Sequence, residues 1–395
     1  MKQFKILLIV VTIVFASCKE KEDKTLETPE IAIAEQQIEV GTISSVEAEA
    51  ATNVNYTTET VVPDLSIPWG FVFLPDGAML ITEKAGELIH FKDGKKTKIN
   101  GLPEIYLRGQ GGLLDIELHP DYANNGWLYI THASADGEGE GGNTALLRAK
   151  LEGNTLVDVK RLYKAEQNSR RGQHFGSRIE FDNDGYLYFS IGDRGNRDEN
   201  PQDITRDCGK IYRLNDDGSI PKDNPFVNEE NAKTAIYSYG HRNPQGMAKN
   251  PNTGEIWVNE HGPKGGDEIN IVQKGKNFGW PVISYGVNYS GTKFTDITAK
   301  DGMQQPLFYW VPSIAPSGMA FVTSDKYPTW KNNILVGSLK FEYLERLVLE
   351  NNKVVKREKL LEGLGRVRDV HQGKDGFIYA AIENKGIVKI VPNAN

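Results

Sequence analysis

The chain is poor in cysteine, with Cys18 and Cys208 the only two in 395 residues. If Cys18 sits in a processed leader, one thiol remains and no internal disulfide can form, so stability must come from packing. Positive charge is not in excess either. The 46 Lys and Arg stand against 53 Asp and Glu, for a net charge of −7, which excludes a general nucleic-acid binder built on a basic face. Long apolar runs are missing: the strongest, residues 6–15, is too short for an ordinary membrane span. No long amphipathic helical pattern stands out. There is no HExxH, GxSxG, CxxC pair or EF-hand loop, which argues against the commonest zinc protease and serine hydrolase chemistries.

What is present begins with a leader. Lys2 and Lys5 precede the apolar run, and Ala16, Ser17 and Cys18 follow it. That order resembles a bacterial lipoprotein signal, cleaved before Cys18 with lipid on its sulfur. Phe15 departs from the usual aliphatic residue, and a plain secretory signal is the alternative. The run KEKED over 19–23 resembles the charged tether of surface-exported lipoproteins. Residues 19–58 are acidic, rich in Thr, Ala and Glu, and without turn punctuation, the composition of a disordered tether. The expected organisation is a signal over 1–17, a tether over 18–58 and a folded domain over 59–395. Such a chain is exported and lipid-anchored to the cell envelope, at the periplasmic or the cell surface.

The folded region is rich in glycine, 40 in the whole chain, as short strands and tight turns require. One element recurs: a polar turn, usually Asp or Asn with Gly, then a short strand of β-branched and aromatic residues. It appears over 75–81, 124–130, 183–189, 252–258, 331–336 and 374–380. Further strands are expected at 87–91, 210–214, 346–349 and 387–391. Six turn-strand units, each with room for a four-stranded sheet, predict an all-β, six-bladed propeller; two stacked β domains are the fallback. If the repeated strands are equivalent, the residues after them converge at one mouth of the central channel. Those residues include Glu83 and Lys84, His132, Asp193 and Arg194, Glu260 to Pro263, and Lys340.

The densest chemistry lies over 237–270. Arg242 and Asn243 precede Pro244, which holds Asn243 out of helix and presents the pair from a stiff loop. Gly262 and Pro263 form a second knot, whose carbonyls suit a hard cation such as calcium. An arginine fork beside a carbonyl pair suggests an anionic, metal-associated cofactor; a turn held by a buried arginine is the plain alternative. His174, between Gly172 and Gly176, is a candidate general base, although loop histidines are often structural. Gln110 lies in a glycine-rich turn that lacks the lysine of a phosphate loop; its amide could read a planar ligand. Arg366 and Arg368 alternate, so both share one strand face and could grip a polyanion together with Lys340. Glu268 is a candidate ligand for a second, structural calcium, or a solvated turn residue.

In combination these residues resemble the soluble aldose sugar dehydrogenases, relatives of soluble quinoprotein glucose dehydrogenase and sorbosone dehydrogenase. The resemblance is carried by His174 with Gly176 and Arg178, IGD over 191–193, GKIYRL over 209–214 and DGSIPKDNP over 217–225. It continues through GHRNPQG over 240–246, EHGP over 260–263, DEIN over 267–270, GWP over 279–281, SLK over 338–340 and RVRDV over 366–370. It covers nearly the whole folded region and implies a six-bladed propeller that binds pyrroloquinoline quinone (PQQ) with calcium. The resemblance implies that His174 takes the proton from the anomeric hydroxyl of an aldose while hydride passes from that carbon to C5 of the quinone, giving a lactone. It implies that Arg242 and Asn243 contact the quinone, and that Arg242 steadies charge on its C5 oxygen. Calcium would lie on the Gly262 and Pro263 carbonyls, and Lys340, Arg366 and Arg368 would neutralise the cofactor carboxylates. Gln110 would lie near His174, and Glu268 with the Phe278 carbonyl would hold the second calcium. Electrons would pass to an acceptor, a quinone or a cytochrome, that the sequence does not name.

There are departures from the glucose dehydrogenase branch. Gln173 stands where that branch has an aspartate, His261 where it has a glutamine, and Arg194 and Arg197 alter the loop after Gly192. They put glucose preference in doubt and fit the broader aldose branch. Two other readings stay open: a non-enzymatic extracellular binding propeller, and a calcium-dependent lactonase. Retention of a base beside an anion cage favours the enzyme over the first. The second lacks the carboxylate and amide set around one metal.

Overall fold

The structure is a computed structural model that describes residues 48–50 and 56–393. The expected signal, Cys18 and most of the tether lie outside the described residues. Six antiparallel four-stranded sheets follow one another along the chain. Blade 1 is built from Pro68–Phe73, Met79–Glu83, Glu87–Lys92 and Lys95–Ile99, and blade 2 from Leu113–Leu118, Trp127–Ser134, Asn143–Glu152 and Thr155–Lys164. Blade 3 takes Ile179–Phe181, Leu187–Ile191, Lys210–Leu214 and Ile236–Tyr239; blade 4 takes Pro244–Lys249, Ile256–Glu260, Asp267–Ile271 and Phe308–Trp310. Blade 5 takes Pro316–Phe321, Ile334–Ser338, Tyr343–Glu350 and Lys353–Leu360; blade 6 takes Val367–Gln372, Ile378–Ile382, Gly386–Pro392 and Tyr56–Pro63. The first strands of successive blades touch in a closed ring, blade 6 against blade 1. This is the expected six-bladed propeller. Among the described residues the only α-helix is Tyr122–Asn125, and none is long and apolar enough to cross a membrane.

The repeated sequence element is the second strand of every blade. Those strands carry neighbouring blades on both faces, so they read as short apolar runs rather than as alternation. Met79–Glu83, Leu187–Ile191, Ile256–Glu260, Ile334–Ser338 and Ile378–Ile382 are buried at every position. The turns before them need a left-handed residue, as at Gly77 (φ +83°) and Gly185 (φ +82°), where a side chain would strain the backbone. Each blade–blade interface has its own apolar cluster. Leu80 and Leu128 serve blades 1 and 2, Tyr129 and Phe189 blades 2 and 3, and Met247 and Tyr188 blades 3 and 4. Trp257 and Ile334 serve blades 4 and 5, Leu344 and Ile378 blades 5 and 6, and Phe71 and Ile387 blades 6 and 1.

The ring is closed by the N-terminal strand. Tyr56–Pro63 pairs antiparallel with Gly386–Pro392, and Ala48–Ala50 pairs in parallel with the outer strand of blade 5. The ordered sheet therefore begins before the boundary at 59 expected from composition. Tyr56 is part of the fold: its hydroxyl accepts from the Leu361 amide at 2.9 Å and its ring packs edge-on to Trp330.

At the axis sits Arg178, immediately before blade 3. Its Nε donates to the Gln245 carbonyl at 2.6 Å, and Nη1 meets Asp115 and Asp369 at 2.9 Å each. Its Nη2 donates to the Arg368 carbonyl at 2.9 Å, and the guanidinium lies over the Trp69 ring at 4.3 Å. One side chain thus ties blade 3 to blades 1, 2, 4 and 6. Arg178→Met should lower folding stability by about 3–5 kcal/mol, because it strands two buried carboxylates. The check is the denaturant midpoint, with Lys98→Ala, which breaks only an exposed pair with Glu87, leaving that midpoint in place. Equal midpoints for the two variants would sink the claim that Arg178 holds the ring.

Candidate active site

The segments after the second strands of blades 1, 3, 4, 5 and 6 meet at one mouth, where two cavities share the Gln110 side of their walls; His132 of blade 2, expected there, is instead buried within its strand. One, of about 540 Å³, is lined by Gln110, Gln173, His174, Asp193, Arg242, Pro263, Trp280 and the loop of Asn288 and Tyr289. The other, of about 400 Å³, is lined by Trp69, Lys84, Gln110, His261, Arg366, Arg368 and Glu383.

His174 is presented by a loop pressed onto the end of blade 3. A Cβ on Gly192 would come within 2.5 Å of the His174 carbonyl, and one on Gly176 within 2.7 Å of the Gly192 amide. Both positions therefore need glycine. His174 has φ +58°, and its amide donates to Gln110 Oε1 at 2.6 Å. Its Nδ1 meets Asp193 Oδ1 at 2.6 Å. Asp193 is itself fixed by the Trp280 indole N–H at 2.9 Å and the Gly195 amide at 2.6 Å. A carboxylate at Nδ1 keeps the proton there and leaves Nε2 as the basic nitrogen. Burial pushes the His174 pKa below its ordinary value and the Arg242 charge pushes the same way, against Asp193. The net effect favours the neutral imidazole.

Arg242 is buried. Its amide donates to Glu260 Oε2 at 2.6 Å, and Nη1 donates to the carbonyls of His261 at 3.1 Å and Gly262 at 2.8 Å. Asn243, expected to face a cofactor, uses its Oδ1 to accept from the Gly176 amide at 3.0 Å, so it braces the His174 loop.

In the second cavity Arg366, expected to share a strand face with Arg368, lies just before the strand and Arg368 at an irregularity in it, yet both converge on Glu383. Arg366 Nε reaches its Oε2 at 2.8 Å and Arg368 Nη2 its Oε1 at 2.5 Å. Lys84 completes the cationic wall, and its pKa is lowered by burial and by Arg368. Lys340 is placed differently: it is exposed and its ammonium lies 4.9 Å over the Phe341 ring. The nearby His261 is kept neutral, its pKa pushed down to about 3 by burial and by Arg242, and its Nε2 has no hydrogen-bond partner.

An anionic ligand fits this donor set: three cations against one carboxylate, and an orphaned imidazole nitrogen. A cation fits the neighbouring acceptors. Pro263 lies on the first cavity wall, and Gly262 offers its carbonyl to Arg242. Farther in, Glu260 and Glu268 stand opposite each other on adjacent strands. Asn270 Nδ2 bridges them at 3.1 Å each, while its Oδ1 has no partner. Burial and Glu260 push the Glu268 pKa up, the mark of facing carboxylates short of positive charge. Phe278 lies beside this set, its ring stacked on His241, whose Nδ1 meets Glu260 at 2.8 Å. Among the described residues no cluster of three or more His, Cys, Asp or Glu side chains is placed to hold a metal, so main-chain oxygens would have to contribute.

Asp193, Lys84, Glu383 and Trp280 were not singled out as functional by sequence reasoning. The repeat logic places Asp193 and Lys84 at the mouth without giving them a role, and extending it to the sixth blade would have found Glu383. Trp280 lay in the GWP run without an assigned partner.

The family model for glucose / sorbosone dehydrogenase matches residues 65–389. An aldose sugar dehydrogenase of Escherichia coli (strain K12) is 41% identical over 355 residues, covering 87% of this chain and 94% of the relative. The apo-form structure of the soluble aldose sugar dehydrogenase from Escherichia coli superposes with a TM-score of 0.81 at 39% identity, covering 86% of this chain and 100% of that one. The PQQ-bound aldose sugar dehydrogenase from Streptomyces coelicolor superposes with a TM-score of 0.70 at 26% identity, covering 86% and 99%.

The His174 environment makes a prediction that needs no substrate. In a nitrogen-15 NMR titration, His174 should stay neutral to a pH below 6.5 as the Nδ1–H tautomer. Asp193→Asn removes a contact that raises the pKa, so the midpoint should fall further and the tautomer preference should weaken. A midpoint above 6.5, or one that rises in Asp193→Asn, would contradict the geometry.

Proposed function

The chain belongs to the glucose / sorbosone dehydrogenase family, and from that premise we propose that it oxidises aldose sugars at C1 to lactones, using PQQ and calcium. The observation that carries the reading is His174, held through Nδ1 by Asp193 on the wall of a cavity that adjoins a cage of Lys84, Arg366 and Arg368. A base beside an anion cage is what proton abstraction coupled to hydride removal requires.

On this reading the sugar occupies the larger cavity and the cofactor carboxylates lie against the cationic wall. His174 Nε2 accepts the proton of the anomeric hydroxyl, and its lowered basicity keeps it ready to do so at neutral pH. Asp193 keeps the ring in one tautomer and stabilises the imidazolium that forms. Arg242 supplies positive charge beside the reacting centre, and its guanidinium is fixed by two carbonyls, so little reorganisation is needed. Gln110 holds the His174 backbone and lines both cavities. When bound, PQQ would supply the hydride-accepting quinone, and the Gly262 and Pro263 carbonyls would hold the calcium that supplies Lewis acidity beside it. Glu268, Glu260 and the Phe278 carbonyl are the proposed second, structural calcium site. The electron acceptor is proposed to be a quinone or a cytochrome. The Lys2, Lys5, Cys18 pattern supports export and lipid anchoring to the cell envelope.

The test is reconstitution of the purified protein with PQQ and calcium, followed by dye reduction with a panel of aldoses. Activity should require both additions and vanish on calcium chelation. His174→Ala should cut kcat by about 10²–10⁴-fold without abolishing quinone binding. Lys84→Ala should weaken quinone binding by about tenfold, whereas Lys340→Ala should change it little. Quinone binding with no turnover on any aldose would move the substrate elsewhere; no quinone binding would leave a binding propeller.

A further inference from the structure

Behind the loop that carries His174 lies a separate cavity of about 330 Å³. Four cations line it, Arg171, Arg194, Arg206 and Lys233, against two carboxylates, Glu166 and Asp207. Both carboxylates are engaged. Glu166 pairs with Lys233 at 2.6 Å, and Asp207 accepts the hydroxyls of Tyr163 and Tyr212 at 2.6 and 2.9 Å. Arg206 pairs with Glu199 at 3.0 Å. Arg171 and Arg194 instead donate to main-chain carbonyls, and no carboxylate lies within ion-pair distance of either among the described residues.

Arg194 is the decisive residue. It is 1% exposed. Its Nη2 donates to the carbonyls of Gly142 at 3.0 Å and Arg171 at 2.7 Å, Nη1 donates to the Gln173 carbonyl, and the guanidinium covers the Phe175 ring at 3.5 Å. Its Nε has no partner. A buried charge normally has a counter-ion and a full set of acceptors. The nearest acid in sequence, Asp193, is committed to His174 and Trp280. Burial pulls the Arg194 pKa down to about 10, which records the same shortage. Guanidinium forks match planar and tetrahedral oxyanions, and Asn196 and Thr205 add polar groups to the wall.

We propose that this cavity binds a small oxyanion, a carboxylate or a phosphate, held by Arg171, Arg206 and Lys233 and favoured by the positive charge of the buried, carboxylate-free Arg194 behind them. Arg194 also holds the carbonyls of Arg171 and Gln173, the residues leading into His174, and follows the aspartate that orients it. An occupied cavity therefore steadies the base from behind. This consequence rests on the dehydrogenase reading; the binding itself does not.

The experiment is isothermal titration of the intact protein, loaded with PQQ and calcium so that the cofactor cage is filled, against inorganic phosphate and, separately, gluconate in chloride buffer. Saturable one-site binding of at least one anion is expected at millimolar concentration, and the arm that binds identifies the source. Arg206→Ala and Lys233→Ala should each weaken it about tenfold, while Lys340→Ala leaves it unchanged. The two wall variants keep the test usable if substitution of Arg194 prevents folding. Absence of binding by both anions, or binding indifferent to both wall substitutions, overturns the proposal. Anion binding that persists in a protein inactive on every aldose would count against the dehydrogenase reading alone. Binding with no effect on turnover in an active enzyme would overturn the coupling to His174.

Discussion

Arg178 at the propeller axis is the interaction on which both fold and site depend. A six-bladed ring has no central sheet, so its first strands need a common partner where they converge. A guanidinium suits that place because its five donors spread in a plane. Here they reach carbonyls and carboxylates of blades 1, 2, 4 and 6. Its stacking partner Trp69 also lines the cationic cavity. Arg178 thus helps set the floor of the site as well as the geometry of the ring. Because it holds the main chain of Arg368, any slip of the hub would also displace the cationic wall.

That wall is a balance rather than a simple excess of charge. Arg366 and Arg368 would repel each other if Glu383 did not accept from both. One carboxylate orders the pair but does not neutralise it, and Lys84 adds a third cation. The remaining positive charge, partly removed from water, is strong enough to recruit a polyanion and too costly to leave fully unpaired. The facing Glu260 and Glu268 repeat the logic with opposite sign. Anion-hungry and cation-hungry groups sit close together, joined by Arg242, which holds Glu260 by its amide and the Gly262 carbonyl by its guanidinium.

Much of this was legible in the sequence, and the reasons differ by residue. The six blades were visible because each second strand is buried on both faces and preceded by a turn that needs Asn, Asp or Gly; that requirement is local. That Arg366 and Arg368 act on one target was visible from their spacing, although Arg366 lies just outside the strand that the alternation argument assumed. Asp193, Lys84 and Glu383 were harder to see, since their partners lie on other turns or blades: His174 is nineteen positions from Asp193, and Lys84 meets Arg368 only once the ring closes. Lys340 marks the converse limit. Its place after a second strand suggested a cavity position, but its side chain leans over Phe341 instead, and backbone position does not fix where a long flexible side chain points. The domain start was misplaced because the ring is closed by a strand whose alternation is weak and whose identity depends on pairing with the far end of the chain.

Arg242 is where the two charge balances meet, and it explains why anion and cation would be required together. Its Nη1 already donates to the Gly262 carbonyl, one of the oxygens proposed for calcium. A carbonyl has two lone pairs and can serve both, but a guanidinium and a divalent cation on one oxygen repel each other. The repulsion is tolerable only when negative charge is brought in beside them, and the proposed polyanionic quinone against Lys84, Arg366 and Arg368 would bring it. The same Arg242 charge lowers the basicity of His174. Neutralising part of it would return basicity to the imidazole at the moment the site is complete. On the proposed reading His174 would be a weaker base in the empty site than in the loaded one, and proton abstraction would be tied to cofactor occupancy by electrostatics, with no movement of the loop that carries it required.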